Sequence, residues 1–519
     1  MFTSVLVALA AAVVYLIWSR IDLWARERRF KKLYGTKRPR HLITNLPFGL
    51  DHLSTIVKEI KRQDLPEFYR WNYDEFGDTF VIKMIGSTTI STRDPHNIQA
   101  LLATRFKDFG VEDLRKGVFR PLIGVDGIFS VDNQKWEHAR ALLRPQFSRQ
   151  QISQLEDLED HIRDLTACIP DGEVVELQGL FFELTMDTAT HFLFGESTHV
   201  LKHRESVMRG KINNSSAEPQ GAAIAHSFDN AQAHLLLRSF LKGFHNWHNP
   251  KDLQDSVKLL HDLTDSYVHQ AIKRSSSGET QSDEAPGKYV FLRELVKDAR
   301  TPDPLVLRSN LLSLLLAGRD TTACLLGWTF YALARNPDVE QKLRTAIEND
   351  FGNDTSRITF ETLKNCRYLQ WAMNESLRLY PPVPINRRAA VRDTWLPTGG
   401  GPEGKDPIFV PKGSFVEHSA YAMHRRADIW GEDANWFRPE RWGEGCSKGF
   451  HWEYLPFNGG PRICLGQQYA LTEAGYTIVR LFQTFKRFEN AEKNQFTRFN
   501  VGLAMSVGGQ GVKVRCYRD

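Results

Sequence analysis

Cysteine is scarce in this chain. Its 519 residues hold six, at Cys168, Cys324, Cys366, Cys446, Cys464 and Cys516, with no Cys-x-x-Cys pair and no zinc-type spacing. That scatter excludes a disulfide scaffold and a zinc module, and it fits a reducing compartment. Charge of one sign is lacking too: 67 Lys and Arg stand against 62 Asp and Glu, a net charge of +5, with no basic block carrying interleaved aromatics. The footprint of a nucleic-acid binder is therefore missing. No segment reads as a flavin or nicotinamide domain, so electrons for any redox step have to come from a partner.

One run approaches bilayer length. Residues 2–18, FTSVLVALAAAVVYLIW, carry no charge, and at ~1.5 Å per helical residue they are close to the shortest span a bilayer accepts. No Lys or Arg precedes the run, whereas Arg20, Arg26, Arg28, Arg29, Lys31 and Lys32 follow it. The positive-inside rule then leaves everything downstream in the cytosol. A cleaved secretory signal is the alternative, but its basic residues belong on the other side of the apolar run. The expected organisation is a membrane anchor helix over 1–24, with Trp18 and Trp24 at headgroup level, then a basic linker over 25–50 containing Pro39 and Pro47, then one catalytic unit over 51–519. Asn213, Asn214 and Asn353 lie in glycosylation-type sequons, which a cytosolic location turns into chance matches.

The chemistry centres on Phe457-Asn458-Gly459-Gly460-Pro461-Arg462-Ile463-Cys464-Leu465-Gly466, a glycine-rich loop with one cysteine just ahead of the helix-forming run QQYALTEA. A thiolate at Cys464 would be stabilised by the positive end of that helix. Gly460 and Gly466 are expected to let backbone approach a flat cofactor, and Arg462 offers a rigid fork of donors to an acidic group on its edge. Haem, held by Cys464 as iron ligand and by its propionates, meets these demands. The alternative is a small buried hydrophobe in a loop, the usual place of a free cysteine.

Three further segments bear on it. Residues 79–86 and 88–92 read as a hairpin, and the helical run from Asn133 stopped by Pro145 puts Trp136 and Arg140 four apart on one face, a pair for a propionate or a surface stack. A helix over 304–334 is apolar nearly all round and contains Ala317-Gly318-Arg319-Asp320-Thr321-Thr322, where a threonine bonding its own i−4 carbonyl could open a gap in the ladder. Asp320 and Thr321 would relay protons there, unless the site is an internally satisfied kink. The helix over 368–380 carries Glu375 and Arg378 at i, i+3, and downstream Pro439-Glu440-Arg441-Trp442 offers Arg441 as third partner. The polar stretches 211–221 and 274–288 read as a cap or gate and as a surface loop.

Together these segments resemble the cytochrome P-450 haem-thiolate monooxygenases, and the stretches 127–151, 396–413 and 422–442 are similar to the fungal alkane and fatty-acid terminal hydroxylases. The resemblance implies a mainly α fold with small β-sheets behind one N-terminal transmembrane helix. It implies haem b with Cys464 on iron, Phe457, Gly460 and Gly466 around it, and Trp136, Arg140, Arg388 and Arg462 toward the propionates. It further implies Asp320 and Thr321 for O₂ protonation, Glu375, Arg378 and Arg441 as a structural triad, and Leu312, Leu316, Ala317, Val383 and Leu503 along a substrate pocket.

Electrons would come from NADPH through a partner reductase. The location implied is the endoplasmic reticulum membrane, single-pass, with lipid and an apolar small molecule as the other partners. Two departures stand out: the linker lacks a Pro-Pro-Gly-Pro hinge, and Ala317 occupies the place where some relatives carry a haem-linking Glu, so no covalent haem attachment is expected by that route. Tailoring of a fungal natural product, a haem-thiolate isomerase or peroxide-driven enzyme, and a non-catalytic haem or lipid binder are the alternatives.

Overall fold

A computed structural model of the chain describes residues 2–111, 113–148, 155–211, 220–277, 290–297, 303–443, 451–493 and 496–518, without the side chains at 2, 3, 8, 9, 12, 114, 240, 242 and 243. The expected polar stretches 211–221 and 274–288, with Asn213 and Asn214, fall largely outside those residues, as does Cys446.

The first helix, α1 (Phe2–Tyr34), corrects the expected linker. Residues 25–34 contain neither Pro nor Gly, so the helix continues to Gly35, which takes φ +68° and returns its N–H to Lys31 O at 3.0 Å. Its second half is docked on the catalytic unit. Arg26 pairs with Asp393 at 2.8 Å, Phe30 packs on Phe409 with ring centroids 4.7 Å apart, and Tyr34 stacks on Trp395 at 5.2 Å. Among the described residues no helix is long and apolar enough to cross a membrane, so the membrane-spanning segment expected over 1–24 is not established by the structure.

Beyond α1 the chain is mostly helical with small sheets. Strands β1 (Arg40–His41), β2 (Thr79–Met84), β3 (Ser87–Thr92) and β4 (Phe109–Gly110) lead to helices α2 (Asp113–Ile123), α3 (Asn133–Leu143), α4 (Leu177–Phe194), α5 (Gln220–Leu241), α6 (Lys251–Ser277), α7 (Pro304–Arg335) and α8 (Arg367–Leu379). Strands β5 (Ile385–Ala390) and β6 (Phe415–Ser419), helix α9 (Gln467–Thr484) and the strand pair β7 (Phe499–Val501) and β8 (Met505–Val507) complete the frame of the site. The β2–β3 hairpin turns on Ile85 and Gly86, both with positive φ, the two-residue geometry that matches strand twist. The largest sheet runs β1-β2-β3-β6-β5-β4, parallel where β1 meets β2 and β3 meets β6, antiparallel elsewhere.

Helix α7 is the axle. Asp303 caps it by accepting the Leu305 N–H at 2.7 Å, with Pro304 in the first turn, and Pro337 follows its end. Its residues Leu307 to Leu316 belong to one hydrophobic cluster, shared with Trp136, Leu142 and Leu143 of α3 and Phe228 and Leu235 of α5. Ala323 to Ala334 belong to another, shared with Leu180 and Phe181 of α4, Leu377 of α8 and Ile478 of α9. Residues 317–322 are the seam between the two.

Candidate active site

The seam is open on one side. From Ser309 to Ala334 every residue of α7 is buried except Leu314, Ala317, Gly318 and Thr321. Their spacing of i, i+3, i+4, i+7 is a single helix face. A Cβ at Gly318 would meet nothing within 4 Å, whereas one at Gly327 further along would strike Gln178 Oε1 at 2.1 Å. A slot therefore runs beside that face.

Thr321 Oγ1 donates to Ala317 O at 2.7 Å within an unbroken helix, which corrects the expected gap in the ladder: the hydroxyl is satisfied as a second donor to a carbonyl that keeps its helical bond. Leu312 and Leu316 are 1% and 8% exposed and lie inside the first cluster, so Leu314 lines the slot where those two were expected. Asp320, about 100° round the helix from Thr321, is buried and bonded by Arg319 Nη1 at 3.2 Å. Its carboxyl is raised above the ordinary range by burial, with Arg319 opposing.

The Cys464 loop is folded by backbone bonds. Cys464 N–H donates to Phe457 O at 3.0 Å, and Gly460–Arg462 form one 3₁₀ turn. Gly460 has φ +68°, and a Cβ there would lie 1.9 Å from Leu102 O. The segment Ala100–Thr104 packed on it is enough to demand a glycine there. Gly466, the N-cap of α9, has φ −89°, and among protein atoms a Cβ there would make only ordinary contact with Phe147 at 3.5 Å.

Cys464 is exposed, while Cys168, Cys324, Cys366 and Cys516 are buried. Burial pushes the thiols of Cys168, Cys366 and Cys516 up to about 12. Desolvation of the sulfur pushes the Cys464 thiol up as well, but the Gly466 N–H and the Arg140 guanidinium pull it down. Phe457 is half-buried against the second cluster.

A ring of cations borders the loop. Arg140 donates to Ile463 O at 3.0 Å and its guanidinium is 5.8 Å from the Trp136 ring centroid; Arg462 lies over the same ring at 4.6 Å. Arg462 also bonds Asp132 Oδ1 at 2.7 Å and Val131 O at 2.9 Å, and burial pushes its guanidinium down to about 10. On β5 the strand period puts Asn386 and Arg388 on one face, and cross-strand pairing puts His418 of β6 opposite Asn386 on that face. Arg388 is buried, with Nη1 on Arg387 O at 2.9 Å, and Arg115 of α2 donates to Asn386 Oδ1 at 3.0 Å. His418 is pushed down to about 3 by burial and by Arg388 and Arg115, and its Nδ1 is buried without a hydrogen-bond partner among the described residues.

Sequence reading missed Arg115 and His418. Arg115 reads as a surface charge in DLRKG, and His418 gains its meaning from strand register alone.

Glu375, Arg378 and Arg441 meet in the interior. Glu375 accepts from Arg378 Nε (2.9 Å) and Nη2 (2.8 Å), Arg441 Nε (2.8 Å), Trp442 Nε1 (3.0 Å) and the Arg438 N–H (3.0 Å), and the Glu375 and Arg378 side chains are both 0% exposed. The cluster leads to the cysteine loop. Arg378 O accepts from His424 Nδ1 (3.0 Å), and His424 Nε2 accepts the Leu455 N–H (2.9 Å), two residues before Phe457. That arrangement requires a neutral imidazole with its proton on Nδ1, consistent with burial and Arg378 holding His424 down to about 3.

The donor set fits haem. A metal already chelated and needing one protein ligand suits Cys464, the exposed cysteine among the five described. The guanidinium groups of Arg115, Arg140, Arg388 and Arg462, with the orphaned His418 nitrogen, suit the carboxylates on such a chelate's edge.

Comparison with known proteins agrees. The family model described as "Cytochrome P450" matches residues 47–511. Cytochrome P450 52A13 of Debaryomyces hansenii is 46% identical over 451 residues, 85% of this chain and 84% of that protein. Cytochrome P450 52A3-B of Candida maltosa is 43% identical over 91% of this chain and 90% of its own length, and Cytochrome P450 monooxygenase g430 of a Fusarium species is 40% identical over 99% and 90%. The chain belongs to the cytochrome P-450 family, and is a monooxygenase that uses haem and draws NADPH-derived electrons through a partner reductase.

Proposed function

We propose that this monooxygenase hydroxylates the terminal or near-terminal carbon of an n-alkane or fatty acid. The observation that carries the reading is the apolar slot beside Leu314, Ala317 and Gly318, which opens at the seam of α7 and has no charged residue on its face of the helix. Haem held by Cys464 supplies O₂ activation and the insertion of one oxygen atom into a C–H bond. The chain supplies the rest: Arg115, Arg140, Arg388 and Arg462 orient the cofactor's carboxylates, Asp320 and Thr321 deliver protons, and the slot excludes water from the reacting carbon.

In this reading one wall of the slot is a joined pair of segments. Met505 N–H donates to Pro382 O at 2.8 Å and Trp328 Nε1 to Met505 O at 2.8 Å, which fixes the β7–β8 tip, where Leu503 lies half-buried against the first cluster. Val383, one residue after Pro382, is 41% exposed. Burying an aliphatic chain gives ~0.8 kcal/mol per methylene, so about ten methylenes give on the order of 8 kcal/mol without a polar contact. Position is harder to select, since one methylene separates substrates by only ~1–3 kcal/mol, so a fixed wall has to set the depth of the chain end.

A second reading is tailoring of a natural-product intermediate, since the Fusarium relatives, named only as monooxygenases, align over 99% of the chain at 40% identity beside the 52A proteins. Product analysis with reductase, NADPH and a series of alkanes, fatty acids and alcohols decides: terminal alcohols are expected. Turnover of none of them, beside turnover of a polyketide or polycyclic compound, selects the second reading.

The exposed apolar residues of α1, among them Val5, Val7, Val14 and Leu16, attach the chain to the endoplasmic reticulum membrane with the catalytic unit, taken as 51–519, on the cytosolic side. The expected result of deleting residues 2–24 is a protein that no longer sediments with membranes yet keeps its carbon monoxide spectrum. Continued sedimentation in carbonate would place the attachment elsewhere.

A further inference from the structure

The acid of the proposed relay is gripped from the far side of α7. Arg319 Nη1 bonds both Asp320 Oδ1, at 3.2 Å, and Asp229 Oδ1 on α5. Arg319 is 4% exposed, and its guanidinium lies over the rings of Phe182 (5.2 Å) and Phe228 (5.5 Å) with Nε on Phe182 O at 3.4 Å. Gln232, three residues after Asp229 on α5, hydrogen-bonds Asp320. Asp229 is 57% exposed at its side chain, so the chain of groups runs from solvent to a buried acid.

We propose that Asp229 is a positioning residue for proton delivery: by sharing the single guanidinium of Arg319 it sets how readily Asp320 holds and releases a proton, and so ties that step to the placement of α5. The inference rests on the reading that Asp320 and Thr321 deliver protons.

The physical argument is a competition of two carboxylates for one cation. Arg319 favours the ionised form of Asp320, whereas burial and the Asp229 charge favour the protonated form. Asp229 raises the proton affinity of Asp320 in two ways: its charge repels the ionised form, and its share of the guanidinium weakens the attraction of Arg319. Asp320 is then poised as a donor nearer neutral pH, as a general acid needs to be. The groups acting on it are Arg319 from its own helix and Asp229 and Gln232 from α5, with the Phe182 carbonyl of α4 holding Arg319. Cys324, one turn on, is buried with its thiol well above the ordinary value, first by burial and then by Asp320, so it stays neutral.

The sign of each substitution follows. Asp229→Asn removes the competitor, so Asp320 ionises at lower pH, by about one pH unit. Arg319→Met removes the cation, so Asp320 ionises at higher pH. Arg319→Lys keeps the charge and restores most of the wild-type value. The Asp320 carbonyl stretch, identified by subtraction against Asp320→Asn, is titrated by infrared spectroscopy in the resting full-length protein, and product formed per NADPH consumed is then measured against pH.

Opposite displacements of both profiles by Asp229→Asn and Arg319→Met support the proposal. No displacement, or displacement in the same direction as general damage to the fold would give, overturns it. If Asp320→Asn leaves product per NADPH unchanged, the relay reading fails, while the infrared titration still decides whether Asp229 governs the acid.

Discussion

In Cys464→His the thiolate-type absorption of the reduced carbon monoxide complex is expected to disappear and product formation to fall to background, while haem is still retained. Retention follows from the cations: Arg115, Arg140 and Arg388 sit on three elements outside the cysteine loop, and Arg462 in the loop is held by Asp132 and Val131, so none depends on the sulfur. Loss of the spectrum follows from exposure and charge together. Cys464 is the exposed cysteine among the five described, and it has the Gly466 N–H and Arg140 to stabilise a thiolate, while the buried thiols at Cys168, Cys366 and Cys516 are pushed up to about 12. Cys366→Ala serves as the comparison and is expected to keep the spectrum. A thiolate spectrum that survives Cys464→His removes the assignment, and with it the role of the loop.

Glu375→Ala is expected to cost about 3–5 kcal/mol in urea unfolding and to yield protein with little haem, since removing one partner of a buried ion pair leaves the others unpaired in the interior. Here the deleted carboxylate serves two guanidiniums, an indole N–H and a backbone N–H. The damage reaches the site through His424, which joins Arg378 O to the Leu455 N–H. Glu375→Gln keeps two acceptors on one oxygen and is expected to fall between. Wild-type haem content and an unchanged midpoint in Glu375→Ala would mean that the cluster does not hold the loop.

What the sequence disclosed was local. Glu375 and Arg378 are three apart in apolar surroundings, and Arg462 and Cys464 two apart in a loop, so their chemistry is written in adjacent letters. What it hid was distant. The reason for Gly460 is a carbonyl at Leu102, and α1 ends as a docked helix because Phe409 and Trp395 receive Phe30 and Tyr34. His418 enters the site through register with Asn386. Helix α7 was hidden for another reason: being apolar nearly all round, it carries no periodicity to say which face is open, so Leu312 and Leu316 could not be told from Leu314.

The position of the slot, between two hydrophobic clusters and inside neither, bears on how such a protein diverges. Leu314, Ala317, Val383 and Leu503 are only partly covered, so changing their size leaves no sealed cavity and disturbs few neighbours. On the proposed reading of the slot, the residues that choose the substrate are separate from those that decide whether the chain folds. Side chains at these few tolerant positions can be exchanged while Leu311, Phe330 and the rest of both cores keep their packing.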